Sequence, residues 1–366
     1  MLTDQSLLRV AKPQQQFTLR KVAINELRQG SFYQLRGHMK SCTERKTIRW
    51  GIIGCGAVTE VKSGPAYQKT VGFKLSAVMR RDVRLAKDYA QRHHVANYSN
   101  DALALINNPD IDAIYIATPP DSHKHYGLLV AKAGKPCCIE KPLAPSYQDS
   151  LIICRAFKAH DVPLFVAYYR RSLPRFTHIK SLIDRQVIGD IRHVSWHLSK
   201  PPSTDDLLGT DNWRTDSDIA RGGYFDDLAS HGLDLLCFLL GDIDVVQGLA
   251  TNQQGLYAAY DAITANWRHC SGVTGVGSWN FGVCLRQDEV VIYGRKGELR
   301  FSVFDEQPVM LTENNKQQTI TIEHPENIQL FHVENIKKQL LDGITHPSTG
   351  ETALHTSWVM EQILSG

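Results

Sequence analysis

The 366-residue sequence lacks the features that mark several classes of protein. Its eight cysteines form no C-x-x-C pair, which argues against a zinc ribbon or a thioredoxin-like motif. No apolar run approaches the ~18 residues of a membrane span, and the N-terminus has no apolar core of a secretion signal. We therefore expect a cytoplasmic protein that does not bind membranes, with its cysteines small and buried in a reducing compartment.

Charge of one sign is also scarce, because the formal net charge is only +3. The sequence thus predicts no broad basic field, and nucleic acid is not an expected partner. No cluster of metal-ligand residues is apparent, so no metal is expected. The composition, with 42% hydrophobic and 22% charged residues, is that of a globular protein, and the length indicates two domains of roughly 150 residues each.

Residues 1–46 differ from the rest of the chain. They hold nine basic and three acidic residues, an excess of 9 − 3 = +6, which leaves 3 − 6 = −3 for the remainder. Apolar periodicity is weak here, and we predict a poorly ordered N-terminal extension outside the fold. Two alternatives stay open: an organellar targeting peptide, since such peptides are basic, and a misassigned start codon, with Met39 as the true start.

Short apolar segments alternate with amphipathic ones over residues 47–168. Strands are predicted at Thr47–Ile53, Lys74–Met79, Ile111–Ala117, Lys135–Ile139 and Pro163–Ala167, with helices at Val61–Thr70, Val83–His93, His123–Ala133 and Leu151–His160. Strict alternation of this kind is typical of a parallel, doubly wound sheet. We therefore predict an α/β Rossmann domain in residues 47–168.

The pattern changes over residues 169–366. Helices are predicted at Arg175–Arg185 and Tyr224–Leu240, a loop at Ser199–Ala220, and strands at Asp190–Leu198, Val245–Thr251, Ala258–His269, Thr274–Phe281, Glu289–Gly294, Glu298–Val303 and Thr319–Glu323. Hairpin-joined strands predict an α+β domain with a large, mostly antiparallel open sheet. Closing helices at 328–341 and 349–364 could pack back on the Rossmann domain. Because an open sheet exposes an apolar face, we expect a homodimer or homotetramer.

The first predicted strand runs into a glycine turn. Gly54 permits the sharp change of direction, and Gly56 lets the backbone approach a pyrophosphate with no Cβ in the way. Ala57 and Val58 then open a helix whose free N–H groups suit an anion. The third position of the dinucleotide fingerprint is Thr59 rather than Gly or Ala. The position of this turn, between a strand and a helix in an alternating array, predicts a dinucleotide site.

Two arginines follow the second predicted strand. A carboxylate at this position is typical of sites for NAD(H), where it binds the ribose 2′-hydroxyl, whereas an arginine favours the 2′-phosphate of NADP(H). Arg80 and Arg81 offer forked donors suited to phosphate, whereas Asp82 lies slightly late in the sequence but could still bind a hydroxyl. The sequence therefore predicts a preference for NADP(H), with NAD(H) as the alternative.

Two further motifs carry side chains suited to proton transfer. Lys141, in Ile139-Glu-Lys-Pro, stands at the carboxyl end of a predicted parallel strand, where ligands of such sheets bind. Asp227 and His231 are spaced i, i+4 on a predicted helix and so share one face, where a carboxylate can orient an imidazole. Gly222 and Gly223, just before that helix, predict a close approach of backbone.

These motifs occur together in one order along the chain: Gly54-x-Gly56, Thr118-Pro119-Pro120, Glu140-Lys141-Pro142, and Gly222-Gly223 followed by Asp227-x-x-x-His231. From about Thr47 to the C-terminus the sequence resembles the glucose–fructose oxidoreductase/inositol dehydrogenase (Gfo/Idh/MocA) family. The resemblance implies hydride transfer between a nicotinamide dinucleotide, NADP(H) by the two arginines, and a hydroxyl or keto carbon of a sugar, cyclitol or related polyol.

The resemblance also implies roles for individual residues. Lys141 would donate a hydrogen bond to the reacting oxygen, His231 would exchange the proton, and Asp227 would position the substrate or His231. Candidate cofactor contacts, besides the glycine turn and the two arginines, are Thr118, Pro119, His123, Glu140, Lys141, Arg170, Trp213 and Arg214. For His123 a surface position at a helix N-terminus is an equal alternative. Arg221 and Ala229 stand where the family often has glycine, which leaves the substrate open.

Two further functions compete with this one. The first is cleavage of a glycoside through a transient ketone on the same cofactor. The second is a dinucleotide-binding sensor with no turnover, since a fold does not fix a function. The presence of Lys141, Asp227 and His231 argues against the sensor, because a binding module needs no proton exchange.

The basic extension generates a first prediction. A chain that begins at Met39 is expected to fold and to bind nicotinamide dinucleotides as the full chain does, because the first strand begins eight residues later. Circular dichroism and a fluorescence titration with NADPH check this. Insoluble protein or lost dinucleotide affinity in the shortened chain would contradict it.

Overall fold

The fold is described from a computed structural model, which places residues 47–210 and 212–366. The predictions for residues 1–46, with Cys42 and Met39, lie outside the described residues. Five described cysteines are buried: Cys55, Cys137, Cys138, Cys154 and Cys237. The expectation of burial is wrong for Cys270 and Cys284, which are exposed.

The first sheet has six parallel strands. They are β1 (Ile48–Ile53), β2 (Phe73–Met79), β3 (Asn97–Ser99), β4 (Ala113–Ile116), β5 (Cys137–Ile139) and β6 (Leu164–Val166), in the spatial order β3-β2-β1-β4-β5-β6. The connecting helices are α1 (Ala57–Val61), α2 (Gly64–Lys69), α3 (Val83–Arg92), α4 (Ala102–Asn107), α5 (His123–Lys132) and α6 (Tyr147–Ala159). This arrangement confirms the predicted Rossmann-like sheet, and its strand order reverses between β1 and β4, where ligands of such sheets bind.

The single helix predicted at Val61–Thr70 is wrong, because the chain forms α1 and α2 instead. The break has a local cause. Pro65 lies in the first turn of α2, a position that proline favours. Gly64 also packs so closely that a Cβ there would lie 2.3 Å from the Thr59 carbonyl oxygen. The strand β3 and the helix α4, both short, are additions to the predicted elements.

The second sheet has eight strands. They are β7 (Ile191–Ser199), β8 (Ile243–Thr251), β9 (Ala262–His269), β10 (Thr274–Asn280), β11 (Gln287–Gly294), β12 (Gly297–Phe301), β13 (Val309–Glu313) and β14 (Lys316–Ile320), in the spatial order β14-β13-β12-β11-β7-β10-β9-β8. Strands β7 and β10 pair in parallel and the other pairs are antiparallel. The predicted mostly antiparallel sheet is therefore confirmed.

The end of this sheet corrects the sequence interpretation. The strand predicted at Thr319–Glu323 lies earlier, as β14, and pairs with β13, for which no strand is predicted. Asn314 and Asn315 connect the two strands with positive φ values of 48° and 64°. Two residues in this conformation form a tight hairpin turn, which asparagine tolerates better than most residues.

The remaining helices pack around the sheets. They are α7 (Pro174–Asp184), α8 (Thr204–Leu208), α9 (Tyr224–Leu240), α10 (Leu330–Asp342) and α11 (Gly350–Ser365). Val333 and Ile336 of α10 belong to the hydrophobic cluster around β1 and β2, whereas Val359 and Ile363 of α11 belong to the cluster under the second sheet. The short α8 interrupts the loop predicted at 199–220.

Helix α9 lies against the second sheet at a glycine. A Cβ on Gly232 would come within 2.1 Å of the Trp196 ring, so only glycine lets the helix approach β7 this closely. Trp196 is itself buried and stacks edge-on against Trp279. Because Gly232 directly follows His231, this contact fixes how far the imidazole stands from the sheet.

One face of the second sheet is exposed at every other position, and Val245, Leu249, Val276 and Tyr293 lie on exposed positions of three of its strands. The expected self-association across this sheet stays a prediction. None of the helices in residues 47–210 and 212–366 has the length and apolar character that crossing a membrane requires.

Candidate active site

The glycine turn lies between β1 and α1. Gly54 has φ +92°, and a Cβ there would lie 2.7 Å from the Thr118 Cγ2 atom. On Gly56 a Cβ would meet only the Gly54 carbonyl oxygen, at 3.8 Å, so the space over Gly56 is open. Thr59 is fully buried, and its hydroxyl accepts a 3.0 Å hydrogen bond from the Gly56 N–H and donates one of 2.8 Å to the Gly56 carbonyl. The Thr59 hydroxyl, which a glycine or alanine at this position would lack, therefore stabilises the turn.

Four other candidates line this turn. Ala57 is exposed and Val58 half-buried at the start of α1. Across the turn, Thr118 is half-buried and accepts a 2.7 Å hydrogen bond from the Ser122 hydroxyl, and Pro119 is exposed. The structure thus brings these predicted cofactor residues to one edge of the sheet.

Arg80 and Arg81 are both exposed at the end of β2. The Arg80 guanidinium donates a 3.3 Å hydrogen bond to the carbonyl of Cys55, inside the glycine turn. Asp82 instead caps α3: its carboxylate accepts a 2.9 Å hydrogen bond from the Arg84 N–H and forms a 3.0 Å ion pair with the Arg84 guanidinium. The carboxylate that could have bound a ribose hydroxyl is therefore used within its own helix.

The Glu140 carboxylate holds the backbone at Lys141 in place. Its buried carboxylate accepts hydrogen bonds from the Tyr115 hydroxyl at 2.5 Å and the Gln329 amide at 2.8 Å, and it also accepts the Lys141 backbone N–H at 3.2 Å. The Lys141–Pro142 peptide bond is cis. With its carboxylate occupied in this way, Glu140 holds the loop that carries Lys141 and does not face the open turn.

The Lys141 ammonium forms an ion pair with the Asp227 carboxylate and donates a 3.0 Å hydrogen bond to the Asp227 carbonyl oxygen. The other carboxylate oxygen of Asp227 accepts a 2.5 Å hydrogen bond from Arg214. The Lys141 and Asp227 side chains are only 13% and 12% exposed. Both oxygens of the Asp227 carboxylate bind cations, and among the described residues it forms no hydrogen bond with His231 Nδ1. Its expected role in positioning the substrate or His231 stays a prediction.

Burial alone would raise the pKa of Asp227, but Lys141 and Arg214 outweigh burial and hold it well below its usual range. The carboxylate is therefore ionised throughout the neutral range of pH. One negative charge shared by two positive charges leaves this triad with a net charge of +1.

His231 lies one turn further along α9, in an aromatic enclosure. The rings of Tyr168, Tyr169 and Phe304 stand edge-on to the imidazole, with centroids 6.1, 5.4 and 6.0 Å away. Its Nδ1 atom is buried and has no hydrogen-bond partner among the described residues. Burial, with the positive charges of Arg170 and Lys141, lowers the pKa of His231 well below its ordinary value, so the imidazole is neutral near pH 7.

Arg170 is buried beside His231. Its guanidinium lies 5.0 Å from the Tyr169 ring centroid and 4.5 Å from that of Phe304. Nε donates a 2.9 Å hydrogen bond to the Val303 carbonyl, whereas Nη1 is buried without a partner among the described residues. This candidate therefore stands at the enclosure with an unused donor.

The surface position considered for His123 is wrong, because the side chain is fully buried. Its ring nitrogens lie 3.0 Å from the Pro142 carbonyl and 2.8 Å from the Thr118 carbonyl. The imidazole thus ties the loop after β5 to the loop after β4. It positions two candidate segments and has no atom facing open space.

Trp213 and Arg214 come from the long loop before α9. The Trp213 ring lies 4.5 Å from the Arg214 guanidinium, and the Arg214 N–H donates a 3.1 Å hydrogen bond to the Asn212 side chain. Gly223 starts α9 with φ +63°, and a Cβ there would lie 2.6 Å from the Tyr260 carbonyl oxygen. The close approach predicted for the glycine pair is thus to the backbone of Tyr260 at Gly223 and to the Asp226 side chain at Gly222.

Sequence reasoning missed the walls of the enclosure. Tyr168 and Tyr169 directly precede Arg170, and their place after the last strand of the first sheet could have indicated them. Phe304 follows β12 and carries no local signal. It is held there because the buried Asp288 carboxylate accepts the Phe304 N–H at 2.6 Å and the Ser302 hydroxyl.

The residues present fit a nicotinamide dinucleotide. The open space over Gly56 is where a Cβ would obstruct a pyrophosphate, and the buried, unpartnered nitrogens of Arg170 and His231 lie near the carboxyl edge of the same sheet. In the part of the chain that the structure describes, no group of three or more His, Cys, Asp or Glu side chains is arranged to hold a metal ion.

Comparisons with known proteins agree with this geometry. Residues 48–168 match the family model described as oxidoreductase family, NAD-binding Rossmann fold, and residues 176–300 match the Gfo/Idh/MocA C-terminal domain. Oxidoreductase P35 of Formosa agariphila is 37% identical over 316 residues, which cover 86% of this chain and 97% of the relative.

Two further similarities are more distant. Levoglucosan dehydrogenase of Pseudarthrobacter phenanthrenivorans is 30% identical over 165 residues, 45% of this chain and 42% of the relative. The solved structure of a levoglucosan dehydrogenase in complex with NADH and levoglucosan superposes with a TM-score of 0.78 at 20% identity, over 87% of this chain and 96% of that one. The family expected from the motifs is confirmed: the chain belongs to the Gfo/Idh/MocA family of oxidoreductases, with an NAD-binding Rossmann fold.

Proposed function

We propose that this oxidoreductase transfers a hydride between NADP(H) and a hydroxyl or keto carbon of a sugar, cyclitol or related polyol. The observation that carries the proposal is the meeting of Lys141 and His231 at the carboxyl edge of the parallel sheet, one held by an ion pair and the other neutral in an aromatic enclosure. The relative named for levoglucosan supports the substrate class.

Lys141 is suited to bind the reacting oxygen. An ammonium has three donors, and two of them go to the carboxylate and the carbonyl of Asp227. The third is left for a substrate hydroxyl or ketone. Asp227 holds the ammonium in place, and the hydrogen bond from the ammonium strengthens as negative charge develops on that oxygen.

His231 is suited to accept the hydroxyl proton in the oxidative direction. A general base must be unprotonated before it acts, and burial together with Arg170 and Lys141 keeps the imidazole neutral. When bound, the oxidised nicotinamide supplies the hydride acceptor. The proton from the substrate hydroxyl then goes to His231, and in reduction it returns from the protonated imidazole to the oxygen.

The cofactor preference is proposed from the end of β2. Arg80 and Arg81 are exposed and have no ion-pair partner among residues 47–210 and 212–366, and Asp82 is occupied by Arg84. Their guanidinium groups suit a 2′-phosphate, and Arg80 also donates to the Cys55 carbonyl in the glycine turn.

We expect His231→Asn to lower turnover by ~10²–10⁴-fold, the size of a general acid–base contribution, while the affinity for NADPH stays close to wild type. Steady-state kinetics over a panel of sugars and inositols, with a fluorescence titration for NADPH, measure both. The control is His125→Asn, which changes an exposed histidine in the first turn of α5. Turnover of His231→Asn at the wild-type rate would remove His231 from the mechanism.

The pH profile gives a separate expectation. Because the pKa of His231 is lowered well below 6.5, kcat/KM for oxidation should stay level as the pH falls from about 8 to about 6 and drop only below that. Burial raises the pKa of Asp226 to about 7, so a change of kcat/KM near pH 7 would also arise if Asp226 affected the reaction. The Asp226→Asn variant is the control that removes this contribution. A limb near pH 6.5 or above that persists in Asp226→Asn would show that His231 is not the neutral base.

The double variant Arg80→Ser/Arg81→Ser should weaken NADPH binding by ~10–100-fold, since hydrogen bonds to charged groups contribute about 1.5–3 kcal/mol. NADH binding should hardly change. Lys87→Ser, which removes an exposed charge from the neighbouring helix α3, is the matched control. Equal affinities of the wild-type protein for NADPH and NADH would contradict the preference.

A further inference from the structure

Lys200 is a half-buried cation that the proposed chemistry does not use. It follows β7, and its ammonium lies 3.6 Å from the centroid of the Tyr224 ring. Among the described residues no carboxylate forms an ion pair with it. Burial lowers the pKa of Lys200, and the negative charges of Asp206 and Asp227 offset this only in part.

We call the side of α9 that carries Tyr224, Asp227 and His231, with the charged side chains around it, the charged wall. Lys200 lies on this wall, over Tyr224. Tyr224, under its ammonium, lies one turn before Asp227 on α9, as His231 lies one turn after it. The Tyr224 hydroxyl donates a 2.7 Å hydrogen bond to Asp206 and accepts one of 3.3 Å from the Asn212 amide. The same Asn212 holds the Arg214 N–H, so Lys200 and Arg214 are joined through one set of contacts.

The charges along this wall do not cancel. The cations are Lys141, Arg170, Lys200 and Arg214, and the carboxylates are Asp206, Asp227 and Glu140, which gives 4 − 3 = +1. Asp226, whose pKa burial raises to about 7, offsets part of this excess when it is ionised. Arg286 adds nothing, because it pairs with Asp305 at 2.8 Å. Polar groups removed from water are normally matched by partners, and a neutral polyol supplies no negative charge.

The spacing suits a substrate with two different ends. Tyr224 and His231 are seven residues apart on α9, about 10 Å along the helix axis. Arg214 shares the Asp227 carboxylate with Lys141 and so lies at the reacting end, whereas Lys200 lies over Tyr224. A sugar whose reacting carbon lies between Lys141 and His231 and whose other end points toward Tyr224 would pass Arg214 and reach Lys200. The Arg214 side chain is 36% exposed, and its Nε donates to Asp227, which leaves the two terminal nitrogens of the guanidinium as further donors.

We propose that the substrate is an anionic sugar derivative, whose carboxylate or ester-linked sulfate or phosphate is bound by Lys200 and Arg214. This inference rests on the proposed hydride transfer and names its substrate class. Lys200 is the specificity residue, because Arg214 is already tied to Asp227. A purely structural cation–π contact with Tyr224 is the competing role for Lys200, and it predicts no effect of its charge on substrate choice.

The test is equilibrium binding to the full chain with NADPH bound, by isothermal titration calorimetry. The probes are matched pairs that differ in one group: D-glucose with D-glucuronate, D-galactose with D-galacturonate, and the 6-sulfate and 6-phosphate esters of each sugar. At least one anionic member should bind tenfold or more tightly than its neutral partner. Its affinity should also fall with added salt, as expected for charge pairing that is partly screened.

Variants assign the selectivity to the charge of Lys200. Lys200→Met should bring the preferred anion within threefold of its neutral partner, while Lys200→Arg should keep most of the selectivity. Lys132→Met, at a lysine in the last turn of α5, should change neither, and thermal unfolding should confirm that all variants fold. The carboxylate, sulfate and phosphate arms show which anion is recognised.

Several results would overturn the inference. These are neutral sugars that bind as tightly as every anionic partner, no detectable binding of any anionic member, or a Lys200→Met variant that weakens both members of a pair equally. Turnover of neutral polyols without preference for the acids would overturn it and leave the proposed hydride transfer intact. Selective binding of an acid with no turnover would support the anion site and contradict the hydride transfer.

Discussion

The carboxylate of Asp227 joins three separate parts of the chain. Lys141 comes from the end of a strand in the first sheet, Arg214 from the loop before α9, and Asp227 from α9 itself. Breaking a buried pair by removing one partner leaves an uncompensated charge, which costs about 3–5 kcal/mol. The candidate site therefore depends on this carboxylate for its geometry, since it is the group that holds both cations next to each other.

Helix α9 is held at a second point on the same face. Asp234 lies seven residues after Asp227, and its buried carboxylate forms a bidentate pair with Arg171 at 2.7 and 2.8 Å and accepts the Thr356 hydroxyl at 3.1 Å. His231 lies between these two anchors. Its imidazole is thus placed by the helix and by packing against aromatic rings, which explains how it keeps its position without a hydrogen bond at Nδ1.

Much of this can be predicted where the signal is local. The sequence predicts the bounds of α9 in full because its apolar residues recur at helical spacing, and the positive φ of Gly54 follows from the turn that a strand-to-helix connection needs. The partners of Asp227 could not be predicted. Its spacing to His231 suggests a hydrogen bond between them, but two cations, one thirteen and one eighty-six residues away in the sequence, compete more strongly for the carboxylate. The place of Phe304 likewise depends on the buried Asp288, a contact with no sequence pattern.

The positive charge of this wall links the proposed base to the proposed substrate. Burial lowers the pKa of His231, and Arg170 and Lys141 lower it further because a protonated imidazole would add a positive charge to a site that already has an excess. The same excess favours any negative charge that enters, both the charge that develops on a reacting oxygen beside Lys141 and a fixed anion beside Lys200. A carboxylate on the substrate would offset part of the field and make protonation of His231 less unfavourable. An anionic substrate would therefore raise the pKa of His231 in the complex above its value in the free protein, toward the range in which an imidazole both accepts and returns a proton near neutral pH.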